Sequence, residues 1–433
     1  MSRVVLAGVI ASLLWPVFAS AAEPLPQGKP EEVGLSAERL AGIDRFVTGE
    51  IDEGVLPGAV VAIARRGKVV YFKAFGYRDK EASVAMTTDS IFSAASMTKP
   101  MTAVLALQFY EQGLLLMDDP LSRFFPKFAD MKVAVLNESK DKIVDTVPAA
   151  RQILMRDLFR HTSGLAYGSS GTTAVNKLYP MSSNDSARTL TSVELLDKLA
   201  GLPLHHQPGA QWHYSFGLDV LGFAIEGLEK KSLGQVMNAA LWSPLGMTDT
   251  GFMVPADRLA RYARPLPKDR AGRPLSIPSP LQPTRFECGG GCAVTTAGDY
   301  LNFAQMLLNG GALGQTRILS RKTVDYMVSN QLAPGTNSLL AGNFTHWGFG
   351  LGVLVGRSGR ATRRGVDVGE PEWRRQCPPS PGAQGAGERR DHRLRSLSSR
   401  AGDCEASAVS EGSSRQQTRS LAYDARVSTI CPR

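Results

Sequence analysis

The sequence predicts a mixed α/β (α+β) domain of two lobes, with a sheet whose two halves come from opposite ends of the chain. Three observations predict it. Strand-like apolar stretches lie near residue 60 and again near residue 350. Helical patterns with Gly and Pro breaks fill the interval from about residue 150 to 260. The body, about residues 30 to 355, is rich in Leu, Ala, Val and Phe and long enough for a large core. No internal repeat is evident.

The elements follow in order. The chain opens MSRVVLAGVIASLLWPVFASA, where Arg3 precedes an apolar run from Val4 to Phe18 and Ala19-Ser20-Ala21 has the small-x-small form of a cleavage site. This predicts a secretory signal peptide over residues 1–21 and a periplasmic or secreted protein. The run is short for a span and holds Pro16, so no stable membrane span is expected after cleavage. LSAERLAGIDRFVTGEIDEG places apolar residues at Leu40, Ile43, Val47 and Ile51 behind Ser36, an amphipathic helix with its N-cap. GAVVAIARRGKVVYFKAFGY reads as two strands around a turn at Arg66-Gly67. DDPLSRFFPKF is a Pro-containing connector. AGDYLNFAQMLLNGG is a helix stopped by Gly310-Gly311, SRKTVDYMVSN a helix capped by Ser320, and HWGFGLGVLV returns to strand-like sequence.

The last stretch differs in kind. Residues 357–433 hold 15 Arg, no Lys and nine acidic residues, with abundant Ser, Gly, Pro and Gln and no apolar periodicity. Such a segment cannot bury enough surface to offset its chain entropy. It is either a disordered tail or the product of a frameshift, since out-of-frame reading of a G+C-rich gene gives Arg, Pro, Gly, Ser and Ala without Lys. The frameshift is the favoured reading. Two thirds of the net charge of +9 sits here, and residues 1–356 carry only +3. The basic balance therefore gives no reason to expect nucleic acid as a partner. Of five cysteines, Cys377, Cys404 and Cys431 lie in this segment, while Cys288 and Cys292 lie in FECGGGCAV. Export permits a disulfide between the latter two, but so short a closure is demanding, and a free pair stays open. A zinc site would need further ligands.

FSAASMTKPM, residues 92–101, puts Ser96 three residues before Lys99 at the start of an apolar helical run. Helix residues three apart share a face, so the ammonium projects beside the hydroxyl. Serine is a poor nucleophile until a base takes its proton, and a helix N-terminus presents N–H groups to developing negative charge. Four letters alone are weak, because a Ser N-cap with a later Lys is routine. The surroundings are specific. SIFSAASMTKPMTAVLALQFYEQGLLLMDDPLSRFFPKF resembles the nucleophile region of the serine β-lactamase and penicillin-binding-protein family, nearest its class C β-lactamases and the esterases of that fold. RDLFRHTSGL, QPGAQWHYSFGLDVLGFAIE, SPLGMTDTGF and GGGCAVTTAGDYLNFAQMLLNGG continue the resemblance in order over roughly residues 30 to 355.

The resemblance implies a β-lactamase/transpeptidase-like fold: an antiparallel sheet flanked by helices, plus a helical lobe over about residues 116–284. It implies that Ser96 attacks a carbonyl and forms an acyl-enzyme. Lys99 shares its proton and keeps the surroundings positive, and a phenolate-like Tyr214 is the general base. No cofactor or metal is implied, and the partner is a small-molecule ester or β-lactam.

Two departures matter. β-Lactamases carry Tyr-x-Asn where this chain has Tyr214-Ser215-Phe216, and Phe216 cannot donate the amide hydrogen bond. That points to carboxylic-ester hydrolysis, with β-lactamase or D-Ala-D-Ala carboxypeptidase-like activity as the alternative. The third motif, on a strand expected after HWGFGLGVLV, has no counterpart; Lys322-Thr323-Val324 is a decoy in a helix. On this pattern the C-terminal strands and one oxyanion donor are missing, and a non-catalytic binding protein or inactive truncated homologue is the rival from another class. Ser163, in the HTSG turn, is expected to be structural. There is no G-x-S-x-G elbow, no H-E-x-x-H and no P-loop, and His205-His206 are adjacent and diverge.

Overall fold

Alternating apolar residues make the first hairpin. In the computed structural model, which describes residues 22–268, 272, 280–334, 336–338 and 348–356, α1 (Ala37–Asp52) follows its Ser36 cap, whose Oγ accepts from the Arg39 N–H at 3.2 Å. β1 (Gly58–Arg65) and β2 (Lys68–Asp79) pair antiparallel from Gly58↔Gly76 to Arg65↔Lys68. The turn residues Arg66 and Gly67 have φ of 53° and 73°, the primed geometry whose twist matches that of the strands. β3 (Val84–Ala85) adds to β2. Leu40 and Ile43 of α1 pack on Ile63, Val70 and Tyr71, and Asp44 accepts from both Tyr71 and Lys73. Residues 1–21, where a signal peptide is expected, and the tail from residue 357 lie outside the described residues.

β4 (Ile91–Ser93) leads through a 3-10 turn, Ala95–Met97, into α2 (Thr98–Glu111). Residues 101–107 of α2 are fully enclosed, which explains why TKPMTAVLALQFYE shows no polar stripe: a helix buried on all sides needs none. β5 (Lys132–Leu136) and β6 (Ile143–Pro148) form an antiparallel hairpin inside the stretch expected to be helical. Its signal is the short alternation of KVAVL against IVDTVP, with β6 largely exposed.

The helices of the lobe are α3 (Met155–Phe159), α4 (Ser183–Thr189), α5 (Ser192–Ala200), α6 (Gly217–Glu229) and α7 (Leu233–Met237). β7 (Gln211–Trp212) precedes α6. α2 and α3 both pack on α6, so α2 and the lobe share one core. β8 (Val294–Thr296) pairs antiparallel with β4 from Ile91↔Thr296 to Ser93↔Val294, then runs into α8 (Ala297–Leu308). Gly310 and Gly311 follow with φ of 70° and 94°, and Ser320 caps α9 (Arg321–Met327).

The expected joining of the two chain ends in one sheet is met only in part. Among the described residues, β1, β2 and β3 form a sheet from the N-terminal side alone, while β4 pairs with β8, and Asn337–Ser338 pairs parallel with β7. HWGFGLGVLV is not one strand: Gly348–Phe349 pairs with Leu354–Val355 around a turn in which Gly352 has φ 75°. A Cβ at Gly352 would run into Ala103 of α2, so only glycine lets the turn reach the helix. The Gly352 N–H donates to the Phe159 carbonyl at 2.9 Å, and Leu351 is buried in the main core. No helix among the described residues is long and apolar enough to cross a membrane.

Candidate active site

The site is assembled where α2 begins. The turn at Ala94-Ala95 enters it with Ala95 in the left-handed region, φ 44°, a conformation held from outside. The Ala94 N–H donates to the Ala293 carbonyl at 2.8 Å, and the Ala293 N–H donates to Thr98 Oγ1 at 3.1 Å. Thr98 Oγ1 donates back to the Ala95 carbonyl at 2.7 Å, and Tyr300 Oη donates to the Met97 carbonyl at 3.1 Å. Ser96 is thereby fixed, half-buried, in the 3-10 turn that opens into α2.

The three sequence-identified residues meet. Tyr214 Oη donates to Ser96 Oγ at 2.5 Å, and Lys99 Nζ donates to Ser96 Oγ at 3.4 Å. The Lys99 ammonium lies 4.3 Å from the centre of the Tyr214 ring and 5.5 Å from that of Tyr167. Lys99 is buried, and its Nζ makes a stronger bond, 2.5 Å, to the Gly290 carbonyl. A buried ammonium needs such acceptors to offset its lost hydration.

Sequence reasoning missed the layer behind these residues. Asp219, fully buried in the first turn of α6, accepts from Tyr167 Oη at 3.0 Å, Ser183 Oγ at 2.7 Å and the Gly290 N–H at 2.8 Å. Burial pushes its carboxyl above the ordinary range, while the Lys99 charge and the three donors pull the other way. Burial also pushes the Tyr167 phenol well up, so Tyr167 serves as a donor. A Cβ at Gly290 would collide with the Asp219 carboxylate and the Ser183 hydroxyl, so the close approach of this backbone to Lys99 requires glycine. The only sequence signal was the run of three glycines beside a family motif. Cys288 and Cys292, on either side of that run, are joined in a disulfide.

Tyr214 stands on a different kind of support. Its ring packs on His161 at 4.8 Å, Tyr167 at 5.4 Å and Trp212 at 6.1 Å between centroids. Phe349 of the C-terminal turn closes on His161 and Trp212 from behind. RDLFRHTSGL builds the base of this wall. Asp157 accepts from Arg151 at 2.6 and 3.1 Å, from Arg160 at 3.0 Å, from the Leu154 N–H at 3.0 Å and from Thr162 Oγ1 at 2.9 Å. Burial alone would raise its carboxyl, but these partners outweigh it and hold Asp157 below the usual carboxylate range. The His161 and Thr162 carbonyls then accept from the His213 and Gly209 N–H groups at 2.8 and 2.7 Å, which places the chain leading to Tyr214.

The remaining expectations fall as follows. Ser163 is fully buried, with Oγ accepting from the Leu165 N–H, a structural position. Phe216 is also fully buried, its ring 4.4 Å from that of Tyr167, so it fills core and offers nothing polar at the position where β-lactamases carry Asn. Thr323 of the decoy sits in α9 beside its Ser320 cap. His205 and His206 diverge, with ring centroids 6.0 Å apart, and His205 instead stacks on His213 at 4.1 Å.

Residues 43–380 match the Beta-lactamase family model, a span that continues past the change of composition at residue 357. An uncharacterized protein of Mycobacterium tuberculosis (strain CDC 1551 / Oshkosh) is 38% identical over 324 residues, 73% of this chain and 79% of its own length. Esterase EstB of Burkholderia gladioli is 34% identical over 226 residues, 52% of this chain and 54% of the esterase. Among solved structures, EstCE1, a hydrolase with promiscuous acyltransferase activity, aligns with a TM-score of 0.58 at 29% identity, covering 73% of this chain and 83% of that one.

Proposed function

The chain belongs to the beta-lactamase family, a family of serine hydrolases, and has its β-lactamase/transpeptidase-like fold; we propose that it is an exported hydrolase of carboxylic esters that works through an acyl-enzyme on Ser96. The observation that carries this is the triangle of Tyr214 at 2.5 Å and Lys99 at 3.4 Å about Ser96 Oγ. In the reaction the direction of the Tyr214 hydrogen bond reverses. Tyr214 first passes its phenolic proton to solvent water and then, as the base, takes that of Ser96 as Oγ attacks the ester carbonyl. The Lys99 ammonium, over the ring, offsets the negative charge as it moves between the oxygens. The carbonyl oxygen becomes an oxyanion facing N–H groups at the start of α2. Collapse breaks the ester C–O bond, and the alcohol leaves with the proton from Tyr214. Water then attacks the acyl carbonyl and gives its proton to Tyr214; the bond from the acyl carbon to Ser96 Oγ breaks, Tyr214 returns the proton to Oγ, and the acid leaves.

Ester specificity is supported by Phe216. With no amide at that position, an amide-bearing substrate loses a partner that an ester does not need. The esterase and hydrolase among the relatives point the same way. Comparing turnover of p-nitrophenyl butyrate with that of nitrocefin tests the reading, and a clear preference for nitrocefin would replace it with a β-lactamase. Export is supported by the pattern of residues 1–21, and is tested by the N-terminal residue of the mature protein.

The expected rate is low. The family resemblance places a second oxyanion donor on a strand after Val355, and the Arg-rich, Lys-free sequence that follows lacks strand alternation. Losing one such donor costs about 10²–10³ in rate. A frameshift accounts for this sequence, and translation of the gene in its other frames after codon 356 should show alternating strands, a Gly-rich motif and a final amphipathic helix. If no frame does, the tail is native; if the chain turns over esters at ordinary enzyme rates, the donor is not missing.

A further inference from the structure

We propose that the Cys288–Cys292 disulfide is a positioning element for Lys99: it locks the Gly290 carbonyl onto the Lys99 ammonium, and its reduction slows attack by Ser96. The inference rests on the reading of Ser96 and Lys99 as nucleophile and partner. It starts from a conflict in the loop itself. The backbone must approach α2 and Asp219 so closely that a side chain at Gly290 is excluded. Three successive glycines meet that need, but they are also the segment with the most freedom to lose. A ring closed by Cys288 and Cys292, with Cα atoms 5.2 Å apart, removes much of that freedom.

The ring touches the nucleophile helix at successive levels. The Gly289 carbonyl accepts from Thr102 Oγ1 at 2.8 Å, the Gly290 carbonyl from Lys99 Nζ at 2.5 Å, and the Ala293 N–H, just past the ring, donates to Thr98 Oγ1 at 3.1 Å. The Gly290 N–H donates to Asp219 on the opposite side. Lys99 has a close acceptor in Gly290 and a longer bond to Ser96. When the ring opens, Gly290 gains room to leave, and the buried ammonium shifts to follow its acceptor or to find another. Either movement changes its place at Ser96 Oγ. Cys288 is fully buried and Cys292 partly, so the bond is sheltered but lies within a few residues of the site.

The test uses the full chain with the disulfide intact, after dithiothreitol, and as the Cys288→Ala/Cys292→Ala variant. Dithiothreitol delivers two electrons and two protons, the S–S bond becomes two thiols, and the reagent closes to its cyclic disulfide. Expected is a slowing of fluorophosphonate labelling at Ser96 by about 10–100-fold, the scale of a small misplacement. KM for p-nitrophenyl butyrate should stay within about twofold, because this is a loss in the reacting arrangement and not in binding. The circular-dichroism melt should show a folded chain at the assay temperature, reoxidation should restore the rate, and the variant should be slow and indifferent to dithiothreitol. Equal labelling of the oxidised and reduced forms, or a loss that merely tracks the unfolded fraction, overturns the proposal. A chain that is not labelled even when oxidised sinks the catalytic reading instead. The disulfide proposal is then decided by NMR of the ¹³Cε signal of Lys99, assigned by its loss in Lys99→Arg. That signal should move on reduction, and an unmoved signal rejects the coupling.

Discussion

Two sides of one site are held by different physics. Ser96 and Lys99 sit on backbone: the carbonyl and N–H of Ala293 and the carbonyls of the glycine ring fix the turn and the ammonium, and a covalent bond closes that ring. Tyr214 sits on rings: His161, Tyr167 and Trp212 pack around it, with Phe349 behind two of them. Hydrogen bonds to backbone are directional and leave few alternative positions. Ring packing fills space but tolerates small tilts. Ser96 is thus the rigid reference of the site and Tyr214 the adjustable part. The wall also carries the ionisable groups whose charge would disturb it.

The sharpest cut is at Ser96. Ser96→Ala should abolish labelling by a fluorophosphonate, and labelling that survives would move the nucleophile elsewhere. Next comes the wall's polar contact with Ser96. Tyr214→Phe keeps the ring and its packing but removes the oxygen 2.5 Å from Ser96, so kcat should fall about 10²–10⁴-fold with little change in KM. If Tyr214→Phe is nearly silent, the base is Lys99 and the two sides exchange roles.

Stability separates them further. Asp157→Ala strands Arg151 and Arg160 beneath the wall and should destabilise by about 3–5 kcal/mol, measured by urea unfolding. Labelling of the remaining folded chain should still occur, since no Asp157 partner touches Ser96. The smallest effect is with pH. Burial, with the neighbouring imidazoles secondary, pushes His205 down to about 4 and His213 down to about 3, and burial likewise lowers His161 and His206. An unfolded chain protonates its histidines near pH 6.5, so below that pH it holds more protons than the folded one. Their contribution is whole above about pH 6.5 and is lost as the pH falls toward these folded values. The melting temperature should drop between pH 6.5 and 5, and His205→Gln should remove about one proton from the slope. An unchanged slope would mean that His205 is already solvated.

The pairing of Ser96 with Lys99 was largely legible in the sequence, and the wall only in outline. Ser96 and Lys99 are one helical turn apart, so local spacing alone brings them together. Tyr214 was placed by motif and not by spacing, because it lies 118 residues from Ser96. Asp219 and Gly290 were invisible for the same reason: their meaning appears only when residues 71 apart share a hydrogen bond. The pairing of Cys288 with Cys292 stayed open, since spacing permits either state. The β5–β6 hairpin was missed because each strand has few alternations and one is mostly exposed. HWGFGLGVLV read as a strand on its apolar residues, whereas its glycines decided the outcome by allowing a turn against α2.

Leu351 has a consequence for the order of events during synthesis. It is 1% exposed inside the main core, with its N–H bonded to the Met327 carbonyl at 2.9 Å. The same core begins at Ala94, so it cannot close until some 250 further residues have been made, and early and late sequence must wait for each other. A nascent chain will hold α2 unsheltered through most of its translation, with its central turns apolar on every side. That is an aggregation hazard in the cytosol and an advantage for a chain threaded unfolded across a membrane. It also sets a boundary for tolerated change. A ribosome that slips before codon 351 removes a core side chain, while one that slips after codon 356 leaves Leu351 in place.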